Sequence, residues 1–219
     1  MKQNYVIALG FFDGVHLGHA ALLRRTIEEA AARGVTPAVF TFDRVPKEVV
    51  TGKPVFLINS ADDRRDLMER VYGIDRVIFA PFDENMMTMP WEDFIHLLVD
   101  KYHAGALVAG HDFHFGYMGK GNPDRLKAKC EELGVGCDII GKIEEDGITI
   151  SSTYIHCPRR AFYACTITCV FYSLNNLSLR SLAFYSHRVC KQINRAFFNA
   201  LNSADSFFNP CTASRAGHT

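Results

Sequence analysis

The chain has 219 residues, enough for one domain with room for a fragment beyond it. Its 24 basic and 24 acidic residues balance to a formal net charge of zero, which argues against a protein built to bind nucleic acid. No stretch approaches the ~20 apolar residues that span a bilayer, and the start MKQNYVIALG shows neither a signal-like apolar region nor a cleavage site, so a cytoplasmic protein with no membrane partner and reduced thiols is expected.

The elements follow in chain order. The apolar run Tyr5-Val6-Ile7-Ala8-Leu9 predicts a strand. It leads into GFFDGVHLGHAALL at residues 10–23, and a helical pattern, Leu22, Leu23, Ile27 and Ala30, leads out. Strand, glycine-bearing turn and helix is the arrangement that sets a phosphate at a helix N-terminus. Gly10, Gly14 and Gly18 let the backbone bend and approach a ligand. His16 and His19, three apart at the helix mouth, can donate hydrogen bonds to phosphate oxygens; the plain alternative is two surface histidines.

Gly34 is a C-cap signal, and Thr36 to Phe42 reads as a buried strand. A loop with Pro46 and Pro54 is expected from Asp43 to Ile58. Ser60, three residues before Asp63, begins a capping-box helix that runs through Tyr72 to Gly73. Asp75 to Phe79 is the third strand; Pro90 opens a helix with Trp91, Phe94, Ile95 and Leu98 on one side, all assigned to the core. Gly105 to Ala109 is the fourth strand, Pro123 opens a helix ending at Gly134, and Cys137 to Ile140 is the fifth strand. Ile143 to Ile150 predicts a short hairpin around Asp146-Gly147. Alternating strands and helices imply an α/β fold with a doubly wound, mostly parallel five-stranded sheet. The loops after strands one and four should then face one crevice.

Two further clusters carry chemistry. Residues 110–121, GHDFHFGYMGKG, are rich in glycine and aromatics. Gly110, Gly116, Gly119 and Gly121 suggest a backbone wrapped around a ligand, with Phe113 and Phe115 stacking on a flat ring and Asp112 accepting hydrogen bonds from it. A surface loop with two phenylalanines anchored in the core fits equally well. Residues 150–156, ISSTYIH, offer three hydroxyl side chains, Ser151, Ser152 and Thr153, which fit either a helix N-cap or a phosphate cradle. No Cys/His spacing suits zinc.

FDGVHLGH, then TFxxxP at Thr41 to Pro46, GxDFxFG at Gly110 to Gly116 and ISSTxI at Ile150 to Ile155 stand in an order that resembles the adenylyltransferase domain of the bacterial FAD synthetases, the bifunctional riboflavin kinase/FMN adenylyltransferases, within the HxGH nucleotidyltransferase superfamily. The resemblance covers residues 5–156, about seventy per cent of the chain. It implies a Rossmann-like fold and the reaction of ATP with FMN to give FAD and pyrophosphate, with Mg²⁺ neutralising the triphosphate. It assigns His16 and His19 to catalysis at the phosphates and Gly10, Phe11, Phe12, Asp13, Gly14, Gly18, Ser151, Ser152 and Thr153 to the nucleotide. Phe42, Pro46, Asp112, Phe113 and Phe115 are assigned to FMN, and no residue is assigned as a metal ligand. Asp13 has two readings, a turn aspartate that orients the loop or a contact to hydrated Mg²⁺. Two other functions stay open at this level: a related nucleotidyltransferase with another phosphorylated acceptor, and an impaired flavin- or nucleotide-binding remnant.

The chain departs from the family pattern in places. TFxPHP is represented with Arg44 and Val45 before Pro46, His114 stands where arginine is usual, and His156 closes ISSTxI where an arginine is expected. From Cys157 onward there are seven basic residues, one acidic residue (Asp205) and five of the seven cysteines, leaving 17 basic and 23 acidic residues before it. This tail has no sustained period and no PTAN motif of a flavokinase barrel. It reads as a reading-frame shift inside the ISSTxIR segment or as a lineage-specific extension. The expected organisation is therefore a nucleotidyltransferase domain at 1–156 and an irregular tail at 157–219 without riboflavin kinase activity.

Overall fold

The first apolar run forms the central strand of a parallel sheet. The computed structural model describes residues 4–55, 57–145 and 148–149, which fall in the compact unit Met1–Tyr154. β1 (Tyr5–Leu9) lies between β2 (Thr36–Phe42) and β4 (Ala104–Gly110); β3 (Arg76–Ala80) and β5 (Gly136–Ile140) complete the order β3-β2-β1-β4-β5. Every pairing is parallel, with Ile7 level with Ala38 on one side and Leu107 on the other. The strand order reverses at β1, so the switch point of the sheet, where ligands bind in sheets of this kind, lies at the carboxyl ends of β1 and β4. The all-parallel five-stranded α/β sheet is the fold expected from the sequence. The tail lies outside the described residues.

Alternate residues of β1 serve opposite cores. Val6 and Ala8 pack with Leu22, Leu23 and Ala30 of α1 (Leu17–Arg33) and Met68 of the helix Ala61–Tyr72. Ile7 and Leu9 pack on the other face with Phe94, Ile95, Leu98, Leu126 and Cys130. A sheet covered on both faces needs strands as continuously apolar as these.

The caps explain where most helices begin and end. The helix Ala61–Tyr72 starts at a complete capping box: the Asp63 amide donates to Ser60 Oγ (3.1 Å) and the Ser60 amide donates to Asp63 Oδ2 (3.2 Å). The helix Pro123–Leu133 has Pro at its first turn and Asn122 as N-cap, accepting from the Arg125 amide at 2.9 Å. Pro90 caps Trp91–His96, which runs on into a π-helical turn at Leu97–Lys101. Trp91 is half-buried against the Phe94 side of the core, as expected.

Two elements correct the sequence reading. The expected loop Asp43–Ile58 contains a helix, α2 (Pro46–Thr51), and a second short helix, Glu84–Thr88, follows β3 with Asp83 as its cap. In chain order the helices are thus α1, α2, α3 (Ala61–Tyr72), α4 (Glu84–Thr88), α5 (Trp91–His96) and α6 (Pro123–Leu133). Helices of five or six residues carry too few turns to show a period. β3 runs one residue later than expected, and the hairpin appears as β6 (Glu144–Glu145) antiparallel to β7 (Ile148–Thr149), its turn outside the described residues.

Removing one half of the capping box should be felt directly. Ser60→Ala is expected to cost about 1 kcal/mol of stability, read from the midpoint of urea unfolding at unchanged m-value.

Candidate active site

Beyond β1 the chain enters a turn of unusual backbone geometry. Phe12 (φ 60°, ψ 30°), Gly14 (φ 74°) and Val15 (φ 34°) all have positive φ. Phenylalanine and valine avoid this region, so the turn has to be held from outside. The segment entering α3 holds it. Buried Asp13 accepts hydrogen bonds from the amides of Ile58 (3.0 Å) and Asn59 (2.9 Å). Asn59 Oδ1 in turn accepts from the Gly14 amide at 2.9 Å. A Cβ on Gly14 would stand 2.9 Å from Ile58 Cδ1, so the turn and this segment are in close contact. Asp13 thus ties the turn to the segment entering α3 through backbone amides.

The turn delivers two imidazoles to the mouth of α1. His16 is the N-cap: its Nδ1 accepts from the His19 amide at 3.4 Å, and its carbonyl accepts from the Ala20 amide at 2.8 Å. An accepting Nδ1 is unprotonated, which places the proton of neutral His16 on Nε2. The two rings stack at 3.7 Å between centroids, with 20° between planes, and the buried ring of Phe12 backs His19 at 5.1 Å. Burial lowers the pKa of His16 from 6.5 to about 4, against the opposing pull of Asp112 and Asp13. Burial, and then the neighbouring His16, hold His19 well below its ordinary value. His19 Nδ1 is buried without a hydrogen-bond partner. At neutral pH the pair is uncharged, desolvated and seated at the positive end of a 17-residue helix.

The structure sorts the other expected residues. Asp112, exposed on the loop after β4, is close enough for its charge to act on His16, which puts this loop near the HxGH turn. Phe113 is half-buried and stacks on Phe115 at 5.4 Å, whereas Phe115 is core, packed on Phe94 at 5.3 Å. Gly116 and Gly121 owe their identity to packing: a Cβ would stand 2.6 Å from the Trp91 backbone and 2.6 Å from the Phe115 ring, respectively. Phe42 is half-buried at the end of β2, in edge contact with Phe40 (5.6 Å) and Phe82 (5.0 Å). Pro46 opens α2, and Val45, where the family pattern has histidine, turns inward with 9% exposure. Phe12 is fully buried with its ring inside the core, so the structure does not open it to a ligand. Ser151, Ser152 and Thr153 lie outside the described residues.

Asn59 and Arg64 were not expected at the site. Arg64 is buried on α3, one turn before Met68 on the same inward face, and an arginine at a core position of an amphipathic helix was the available signal.

Fold and site together define a Rossmann-like α/β domain with an HxGH turn at the switch point of its sheet. The chain belongs to the FAD synthetase family, whose model matches residues 1–154. It is 34% identical over 160 residues to the bifunctional riboflavin kinase/FMN adenylyltransferase of Bacillus subtilis, covering 70% of this chain and 49% of that protein. The protein of the same description from Escherichia coli K12 is 33% identical over 157 residues, 70% of this chain and 50% of the relative. The chain thus spans about half the length of the curated relatives it matches. A crystal structure described as a macrolide-efflux protein from Streptococcus pneumoniae superposes with a TM-score of 0.61 at 26% identity, over 71% of this chain and 50% of that one. Among the described residues of this chain, no helix is long and apolar enough to cross a membrane.

The lowered pKa of His16 has a signed consequence. The unfolded chain takes up this proton below about 6.5, and the folded chain only near 4, so acid favours unfolding across that window and the group is silent above it. Replacing His16 by Asn is expected to flatten the loss of stability between pH 7 and pH 4.5 relative to the parent, measured by urea unfolding at a series of pH values.

Proposed function

We propose that the chain is an FMN adenylyltransferase, converting ATP and FMN to FAD and pyrophosphate, in a domain spanning 1–156. The observation that carries this reading is the stacked, uncharged His16–His19 pair at the N-terminus of α1, inside the residues matched by the FAD synthetase family. In the proposed reaction a phosphate oxygen of FMN attacks the α-phosphorus of ATP, the bond to the bridging oxygen breaks, and pyrophosphate leaves. No covalent enzyme intermediate is required, so the protein supplies position and charge stabilisation.

In this reading the Nε2–H of His16 and the ring of His19 meet the non-bridging oxygens on which charge grows. Gly10, Phe11, Gly14 and Gly18 line the nucleotide, with the buried Phe12 and Asp13 holding their turn. Ser151, Ser152 and Thr153 are proposed to receive the departing pyrophosphate. Phe42, Pro46, Asp112 and Phe113 are proposed to contact FMN, with Phe115 supporting Phe113 from the core. Phe42 and Phe113 edge the same core face, the one opposite Phe12, which supports separate places for the two substrates. Mg²⁺, which would neutralise the triphosphate, fits as an ion held by phosphate and water: among the described residues no cluster of three His, Cys, Asp or Glu can hold a metal, and Asp13 is occupied by backbone amides. ATP and FMN in a cytoplasmic setting, without nucleic acid or membrane partners, complete the proposal.

His19→Ala is expected to lower FAD formation by about two orders of magnitude or more, the scale of one transition-state charge stabiliser. FMN affinity, measured by fluorescence quenching, should change far less; parent-like turnover would end the assignment. The same purified chain is expected to form no FMN from riboflavin and ATP, and detecting that product by chromatography would overturn the assignment of residues 157–219.

A further inference from the structure

We propose that Arg64 is a positioning residue of this site: its guanidinium ties the end of β2 to the base of the HxGH turn and so fixes where the two histidines stand. One nitrogen, Nη1, donates to the Phe11 carbonyl at 2.7 Å and to Thr41 Oγ1 at 3.0 Å. The other, Nη2, donates to the Phe42 carbonyl at 3.1 Å. Thr41 Oγ1 itself donates to the Phe11 carbonyl at 3.1 Å, closing a small network. The guanidinium plane is set by two rings, with its carbon 4.2 Å from the Phe11 centroid and 5.2 Å from that of Phe79.

This arrangement is costly for a purely structural residue. Arg64 is 1% exposed, all three of its hydrogen bonds go to uncharged oxygens, and its Nε is buried without a partner. Asp13 and Asp43 offset its charge through space, and burial still lowers its pKa. Met68, one turn along, fills the same face of α3 with no such cost. What a methionine cannot do is hold two backbone carbonyls, one in the turn after β1 and one at the end of β2, at a fixed separation, which the rigid guanidinium fork does. Those carbonyls belong to Phe11, on the proposed nucleotide side, and Phe42, on the proposed flavin side. One helix position therefore sets the spacing of the two halves of the crevice.

The test rests on the adenylyltransferase reading for one of its two measurements only. Arg64→Lys keeps the charge and loses the fork. Its kcat for FAD formation is expected to fall about tenfold to a hundredfold, the effect of a small misplacement of reacting groups, while KM for ATP changes less than about threefold. The ring-proton NMR titration of His16, whose charged or titratable neighbours are Asp13, Asp112 and His19, is expected to move from about 4 toward 6.5 as the turn relaxes and hydrates. Thr41→Val should show a smaller loss of the same kind, and Thr41→Ser should restore the parent. A residue that only packs would lower Tm but leave kcat, assayed well below Tm, and the His16 titration unchanged; that result overturns the proposal. If Arg64→Lys does not fold, the Thr41 pair decides by the same criteria. If the unaltered chain makes no FAD, the enzymatic reading fails, and the NMR titration alone decides the clamp.

Discussion

The site depends on a backbone turn that its own residues disfavour. Phe12 and Val15 are held at φ 60° and 34°, each at a strain of about 1–3 kcal/mol. The compensation is visible in the bonds that meet the turn. The Asp13 carboxylate accepts from two buried or half-buried amides, and hydrogen bonds to a charged group contribute about 1.5–3 kcal/mol each. Strain and restraint are of one size, so the turn is stable only while α3 is docked. That is why the segment entering α3, Ile58 and Asn59, distant in sequence from the histidines, belongs to their physics. The strained turn also does something a relaxed one would not: it buries the Phe12 ring beneath His19 and brings His16 round to cap α1.

Neutral imidazoles at a helix N-terminus are a polarised but uncharged receptor. Desolvation keeps both rings unprotonated at neutral pH, and stacking at 3.7 Å makes simultaneous protonation costly. A polyphosphate entering the crevice would reverse that balance, because its negative charge stabilises the protonated form of whichever ring it contacts. Asp112 and Asp13 already pull His16 the same way, and burial outweighs both carboxylates.

Much of this was legible in the sequence, where a local rule acts alone. The capping box at Ser60, the proline starts at Pro90 and Pro123, and the five apolar strands all follow from residues close together in the chain. The place of the two histidines at the mouth of α1, one as N-cap and one in the first turn, was legible for the same reason. What was not legible depends on contacts across the sheet. Gly116 and Gly121 resemble ligand-wrapping glycines until Trp91 and the Phe115 ring are seen against them. Phe113 and Phe115 look equivalent in sequence, yet the loop buries Phe115 in the core and leaves Phe113 half-buried, stacked on it. Arg64 reads as one charge among several on α3, and only the packing of α3 on β2 turns it inward.

The departure at Val45 shows how such a site tolerates change. Val45 occupies a place where the family pattern has a polar imidazole, and here it is an apolar side chain turned into the protein beside Pro46. Pro46 keeps its role regardless, because its fixed φ opens α2 whatever precedes it. The direction of the chain after β2 is set earlier still, by the Phe42 carbonyl held on Arg64 and by the Asp43 amide bonded to the Ala80 carbonyl at 3.1 Å. A substitution at 45 therefore changes the chemistry offered at that edge of the crevice without moving the edge itself. Geometry at this site resides in two backbone carbonyls and the buried cation that holds them, and side chains at the rim can vary around that frame.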